Sequence, residues 1–345
     1  MHALILAGGK GTRLRPLTVY TPKPVVPVMN RPFLLYQIDI LKRAGITDIT
    51  LSLSYQPDKI EQVLGDGSDF GVKLRFLTEP NPLGTGGAYR FASESLNDTT
   101  VVLNGDILTN VDISSIVEFH RAHNAEATIS LTPVDNPANF GLVETDKEYR
   151  VKSFLEKPDP NEISKKKLNN INAGIYILEP SVRESITKNE NRSFEYHVFP
   201  DLLAKKRNFF AYAMKNSYWR DLGTPESYLE AHMDFLAGRI DGFELNDLSQ
   251  SEIATHASIE RSLIGDDCNI KPNAEIRNCV LGKGVYVDEK SVIENSVIWA
   301  HSRIASFASV KGSVVAQSCH VGRNTVIRKG TVLGNKASIP DYSTI

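Results

Sequence analysis

The stretch IGDDCNIKPNAEIRNCVLGKGVYVDEKSVIENSVI, residues 264–298, decides the fold. Read in steps of six, six and five, it sets Ile264, Ile270 and Ile276 in phase with Leu281, Val287 and Ile293, and a third coil opens at Ile298. The series continues through Ile304, Val310, Val315, Val321, Ile327, Leu333 and Ile339, the last steps all being six. A glycine often follows the aliphatic residue, at Gly265, Gly282, Gly322 and Gly334. An inward aliphatic residue at this period is the signature of a parallel β-helix of hexapeptide repeats, in which each rung buries its face on the next.

Toward the N-terminus the texture changes. The first two-thirds of the chain alternates short β-branched runs with helical patterns. Residues 3–7 read as a buried strand. Residues 33–44 read as an amphipathic helix with Leu34, Leu35, Ile38 and Leu41 on one face and Gly45 as its stop. Strands are expected near 48–54, 72–78, 101–104 and 127–133, and Thr224-Pro225 starts a helix that runs through Phe235 and can end at Gly238. This rhythm predicts an α/β, Rossmann-like sheet of mostly parallel strands with the active site at their carboxyl ends. The expected division is a first domain at 1–238, a linker at 239–255 and the β-helix at 256–345.

A chain of 345 residues can bury two cores, and 41% hydrophobic with 23% charged residues is ordinary for a soluble globular protein. A net charge of −2 provides no broad basic field, which argues against nucleic acid and anionic membrane as partners. No apolar run approaches bilayer length, and the N-terminal MHALIL runs straight into a strand without the basic region of a signal peptide. Cys268, Cys279 and Cys319 are odd in number and lack CxxC spacing. That argues against a disulfide framework and a zinc site, and fits a reducing cytoplasm.

LILAGGKGTRLRP, Leu4 to Pro16, is a strand followed by a glycine-rich turn. Gly8, Gly9 and Gly11 let backbone N–H groups approach phosphate oxygens, Arg13 adds a forked cation, and Lys23 stands between Pro22 and Pro24. Several cations around one such turn suggest a polyphosphate. The turn is neither a Walker P-loop nor a dinucleotide fingerprint.

With GGxGTRLxPLTxxxPKP complete, the chain resembles the sugar-1-phosphate nucleotidyltransferase (NDP-sugar pyrophosphorylase) family over its whole length. Within that family it is most similar to the mannose-1-phosphate guanylyltransferase type with a C-terminal left-handed β-helix. The resemblance implies that Arg13 and Lys23 hold the β,γ-phosphates of an NTP. It places Leu6, Ala7, Gly8, Gly9, Gly11, Thr12, Glu79, Pro82, Gly84, Asn104 and Gly105 against the nucleotide. VVLNGD at 101–106 and WRDLGT at 219–224 supply Asp106 and Asp221, a carboxylate pair of the kind Mg²⁺ shares with phosphate oxygens and water. The family assigns both to the metal. It assigns Gly141, Glu156, Lys157 and Asn172 to the sugar phosphate, and Trp219 is expected to pack.

Glu79 stands where thymidylyltransferase relatives carry glutamine. Its carboxylate is acceptor-only, which suits the adjacent N1–H and N2–H₂ donors of guanine. The implied reaction is direct in-line attack of a sugar 1-phosphate on the α-phosphorus of the NTP, releasing pyrophosphate; GTP and mannose 1-phosphate are the expected pair. Glucose 1-phosphate with thymidylyl or uridylyl transfer, and heptose 1-phosphate guanylyl transfer, stay open. So do a hexapeptide acyltransferase using His301 or His320 and a catalytically silent regulatory homologue. The β-helix is expected to serve as scaffold and assembly surface in a homo-oligomer.

Overall fold

The computed structural model describes residues 1–166, 168–244 and 251–345. The chain divides into two compact units, Met1–Gly9 with Tyr36–Trp219, and Lys10–Leu35 with Arg220–Ile345. The division follows packing rather than sequence order.

The first unit is built on a nine-stranded sheet. Its strands are β1 (His2–Leu6), β2 (Asp48–Leu53), β3 (Lys73–Thr78), β4 (Thr100–Asn104), β5 (Ala127–Pro133), β6 (Gly141–Thr145), β7 (Val151–Glu156), β8 (Asn170–Leu178) and β9 (Phe209–Ala213). The order is β7-β6-β8-β4-β1-β2-β3, with β5 pairing β8 and β9. β1 runs parallel to β2 and β4, β2 to β3, and β5 to β9. The antiparallel strand pairs come from β8, against β4, β5 and β6, and from the β6–β7 hairpin. The expected α/β sheet is therefore present, with its early strands within a residue or two of their predicted spans.

The parallel strands β1, β2 and β4 read as near-continuous apolar runs because helices cover both faces of such a sheet. Ala3, Leu4, Ile5, Ile49, Leu51 and Val101 to Leu103 are all buried. The expected helix forms at Leu34–Arg43, with Leu34, Leu35, Ile38 and Leu41 buried and Gly45 left-handed at φ 74°. An aromatic chain runs through the core: Tyr176 lies 5.0 Å from Phe194, Phe194 stacks on Phe199 at 5.4 Å, and Phe199 on Phe209 at 5.3 Å, between ring centroids. Burying each such ring contributes roughly 1.5–3 kcal/mol.

The second unit contains the β-helix, whose short strands stack into three parallel sheets. Ile264 pairs with Leu281, Leu281 with Ile298 and Ile298 with Val315, steps of 17, and Val315 with Leu333, a step of 18. The six-six-five phase and its closing run of sixes are thus the coil itself. Every inward residue from Ile264 to Leu333 is buried in one core, and Ile339 packs against its end. Where a glycine follows the aliphatic residue it can have a steric reason: a Cβ on Gly282 would stand 2.5 Å from the Ala300 nitrogen of the next coil.

Also in this unit, the helix Pro225–Leu236 begins where Thr224 Oγ1 accepts from Ser227 N at 3.2 Å, and Gly238 follows its end at φ 69°. Of the stretch expected as linker, residues 245–250 lie outside the described residues, and Glu252–Ile253 already pairs with Asn269–Ile270. Among the described residues no helix is long and apolar enough to cross a membrane.

Candidate functional site

Because β1, β2, β3 and β4 are parallel, the residues just past their carboxyl ends share one edge. Leu6 stands opposite Ser52 and Asn104 in the ladder, so the residues that follow each strand emerge side by side. A cavity of about 230 Å³ opens there, lined by Leu6, Gly8, Gly9, Ser54, Glu79, Pro82, Gly84, Thr85 and Ala88. Gly8 is required by close approach: a Cβ would stand 3.0 Å from Ser54 Oγ and 3.4 Å from Glu79 Oε1, whereas one on Gly9 meets nothing within 4 Å. The Ser54 hydroxyl donates to the Gly8 carbonyl. Ala7 N donates to Ser52 O at 2.9 Å and Gly105 N to Leu6 O at 2.9 Å, which locks the turn and the Asn104-Gly105-Asp106 end of β4 together.

Glu79 sits on the cavity wall. Ser52 Oγ donates to its Oε1 at 2.9 Å and Leu83 N to its Oε2 at 3.2 Å. Each carboxylate oxygen keeps acceptor capacity beyond these bonds. The bonds fix the direction in which the carboxylate points.

The expected sugar-phosphate group also lies in the first unit. A Cβ on Gly141 would stand 3.0 Å from Glu156 Oε2. Burial, and secondarily the Glu195 carboxylate, push the Glu156 carboxyl up, with Lys157 opposing. Lys157 is exposed at a left-handed φ of 49°, its N–H donating to Phe140 O at 3.1 Å. Asn172 is turned to local work: its Nδ2 donates to Tyr176 Oη at 2.9 Å and its Oδ1 accepts from Gly174 N at 2.9 Å, where β8 shifts register. Trp219 Nε1 donates to Ala173 O at 2.8 Å, and its ring meets Phe140 edge-on, which is packing.

Glu195 escaped the sequence reading. It lies in a π-helical turn, Phe194–Val198, a geometry frequent at functional sites. Thr85 Oγ1 donates to Glu195 Oε2 at 3.0 Å and accepts from Phe194 N at 2.8 Å, tying this carboxylate to the cavity wall. Burial pushes the Glu195 carboxyl up, with Asp106 adding to the rise and Thr85 and Lys157 opposing it. The available signal was a glutamate amid the aromatic run SFEYHVF.

The second unit holds the remaining candidates. Gly11 at φ 60° precedes a 3₁₀ turn, Thr12–Leu14, which carries Arg13. Arg13 is largely exposed and its guanidinium lies 4.0 Å from Asp221 Oδ1. Gly223 must lack a side chain, since a Cβ would run into both Asp221 and Arg13. Lys23 is 8% exposed in a second 3₁₀ turn, Lys23–Val25, and its Cβ lies 3.2 Å from where a Gly11 Cβ would be. Thus Arg13, Lys23 and Asp221 belong to one unit, while Asp106, Glu79 and the Glu156-Lys157 pair belong to the other.

Comparison with known proteins finds two family matches and a set of relatives. Residues 2–238 match the nucleotidyl transferase family and residues 247–345 the EIF2B subunit epsilon LbH domain, a left-handed β-helix. The mannose-1-phosphate guanylyltransferase of Mycobacterium tuberculosis is 37% identical over 85% of this chain and 83% of its own. A mannose-1-phosphate guanyltransferase of Pichia angusta is 35% identical over 99% and 93%, and a probable mannose-1-phosphate guanylyltransferase of Oryza sativa subsp. japonica 34% over 97% and 96%. With a glycine turn following the first strand of a parallel sheet and matches along nearly its whole length, this chain belongs to the nucleotidyl transferase family and carries a C-terminal left-handed β-helix.

Proposed function

We propose that the protein transfers GMP from GTP to mannose 1-phosphate, giving GDP-mannose and pyrophosphate. The observation that carries the base preference is the Glu79 carboxylate, an acceptor-only group held at the wall of a cavity below the size of a drug-sized site. The relatives' names support the sugar. In this reading Arg13 and Lys23 grip the β,γ-phosphates and stabilise departing pyrophosphate, and Lys157 offsets the repulsion between the two phosphorylated substrates. Glu156, Gly141 and Asn172 are read as the sugar-phosphate group, Asn172 through the second N–H and the second lone pair that its bonds to Tyr176 and Gly174 leave over.

Asp106 and Asp221 would hold Mg²⁺, which supplies charge neutralisation at the α-phosphate. Two oxygen donors suit that ion, which completes its shell with phosphate and water, and among the described residues no larger His/Cys/Asp/Glu cluster offers an all-protein cage. The catalytic domain is read as 1–238, which the first family match supports, the linker as 239–255 and the β-helix as 256–345, although the second match begins at 247. A cytoplasmic setting is supported by three buried free cysteines, and a homo-oligomer by Ile253, Phe307 and Tyr342 exposed on the β-helix.

The test is Glu79→Gln, which turns one acceptor into a donor facing the guanine donors. A mispaired contact costs roughly 1–3 kcal/mol, so kcat/KM for GTP should fall about 5- to 150-fold, while dTTP should lose less or gain. Equal losses for the two nucleotides would reduce Glu79 to a loop-shaping residue.

A further inference from the structure

We infer that Trp299 and Tyr228 are positioning residues, a relay through which the β-helix sets Lys23 for nucleotide phosphate; this rests on the phosphate role proposed for Lys23. Trp299 directly follows the rung strand Val297–Ile298 and is 4% exposed. Its Nε1 donates to Tyr228 Oη at 3.0 Å. An indole N–H can only donate, so Tyr228 accepts it and keeps its own O–H for another acceptor. That acceptor is the Pro27 carbonyl. Tyr228 is itself fully buried in the helix Pro225–Leu236, where His232, one turn on, bonds its carbonyl oxygen through Nδ1 at 2.9 Å.

From Pro27 back to Lys23 the chain is stiff. Pro22, Pro24 and Pro27 each fix φ, Val25 N donates to Pro22 O at 3.0 Å, and Val26 N to Lys23 O at 3.2 Å. Lys23 packs on Gly11, whose carbonyl accepts from Thr18 Oγ1 at 2.7 Å, so the glycine turn moves with it. Beyond Pro27, Asn30 Nδ2 donates to the Leu281 carbonyl of the β-helix at 2.7 Å. A scaffold needs only apolar contact. Directional bonds that converge on one cation-bearing segment do more, because small displacements of a phosphate-binding group are costly to affinity and rate.

The experiment uses the full-length protein carrying Tyr228→Phe, Trp299→Phe or Asn30→Ala, with Lys23→Met as reference. It reads kcat, both KM values and the melting temperature. Tyr228→Phe should raise KM for GTP about 5- to 20-fold and leave KM for mannose 1-phosphate within about twofold. Trp299→Phe and Asn30→Ala should move GTP the same way, and the Tyr228/Trp299 double variant should be little worse than the stronger single. A lowered melting temperature with unchanged KM for GTP in these variants overturns the relay. If Lys23→Met raises that KM and the others do not, the relay alone fails. If Lys23→Met leaves it unchanged, the phosphate role of Lys23 fails. Should Tyr228→Phe not fold, the Trp299 and Asn30 variants decide by the same readout.

Discussion

At the carboxyl edge of the parallel strands, residues are placed by ladder register: Leu6 faces Ser52 and Asn104, and Leu53 faces Thr78, so that Gly8, Glu79 and Asp106 follow from strand ends set side by side. In the segment 10–35, Arg13 and Lys23 lie outside the short ladder that pairs Pro27–Val28 with Arg31–Pro32. They depend on 3₁₀ turns, proline stiffness and a few side-chain bonds to the helix 225–236 and the β-helix. The first region spreads its placement over many backbone bonds, so neutralising or truncating one side chain there should alter chemistry alone. In the second, changing one bond can move the chemistry itself.

Three measurements would sharpen or break that contrast. The largest effect is expected from the carboxylates. Asp106→Asn and Asp221→Asn should each reduce turnover at least about 100-fold, on the order of 3 kcal/mol of lost charge stabilisation, with unchanged circular dichroism. Near-normal turnover of Asp221→Asn at saturating Mg²⁺ would remove Asp221 from the metal role.

Next comes acid. Burial lowers the His232 pKa from 6.5 to about 4, against the pull of the Tyr228 and Pro27 carbonyls. Its neutral ring is favoured in the folded protein, so the stability it confers is complete above about pH 6.5 and is lost as pH falls toward 4. The loss should total about 3 kcal/mol relative to His232→Gln, measured by urea denaturation at pH 7 and pH 4. Identical pH profiles for the two proteins would show the ring to be hydrated. Hydrogen exchange should reveal the segment 10–35 loosening before the strands of the sheet.

The smallest effect separates two glycines of the edge. A Cβ at Gly105 would stand 2.8 Å from Leu6 O and 3.0 Å from Ala7 Cα, so Gly105→Ala should cost roughly 1–3 kcal/mol of stability. Gly9→Ala meets no protein atom within 4 Å and should leave stability within about 0.5 kcal/mol of the parent. Any rise in KM for GTP in Gly9→Ala would then report the approach of the nucleotide. Equal stability losses would mean the edge is less rigid than its ladder implies.

The β-helix was the most legible part of the sequence, because its period repeats whatever the rest of the chain does, down to the longer final coil. The glycine turn and the strand ends were nearly as clear, since steric demands at Gly8 and register at Asn104 leave local marks. The antiparallel course of β8 was not readable, as an apolar run looks the same in either direction. The bonds of Asn172 to Tyr176 and Gly174 were not readable either, because they come with a register shift that leaves no local mark. Glu195 was hidden because its meaning depends on Thr85, far away in the chain. The grouping of residues 10–35 with the β-helix was equally hidden, as Asn30 and Leu281 carry no shared local pattern.

The solenoid also has consequences for how this gene can change. Segment and helix lean on it at Leu281, Trp299 and Gly334, where a Cβ would stand 3.1 Å from Pro16 Cβ. Leu281 and Gly334 lie three coil steps apart, roughly 14 Å at about 4.8 Å per step. The coils between them therefore act as a ruler. Duplicating or deleting one there would slide one contact out of reach of the other, whereas coils gained or lost beyond either end would disturb neither. Drift in repeat number should therefore be confined to the ends of the solenoid, the middle being held to length by what rests on it.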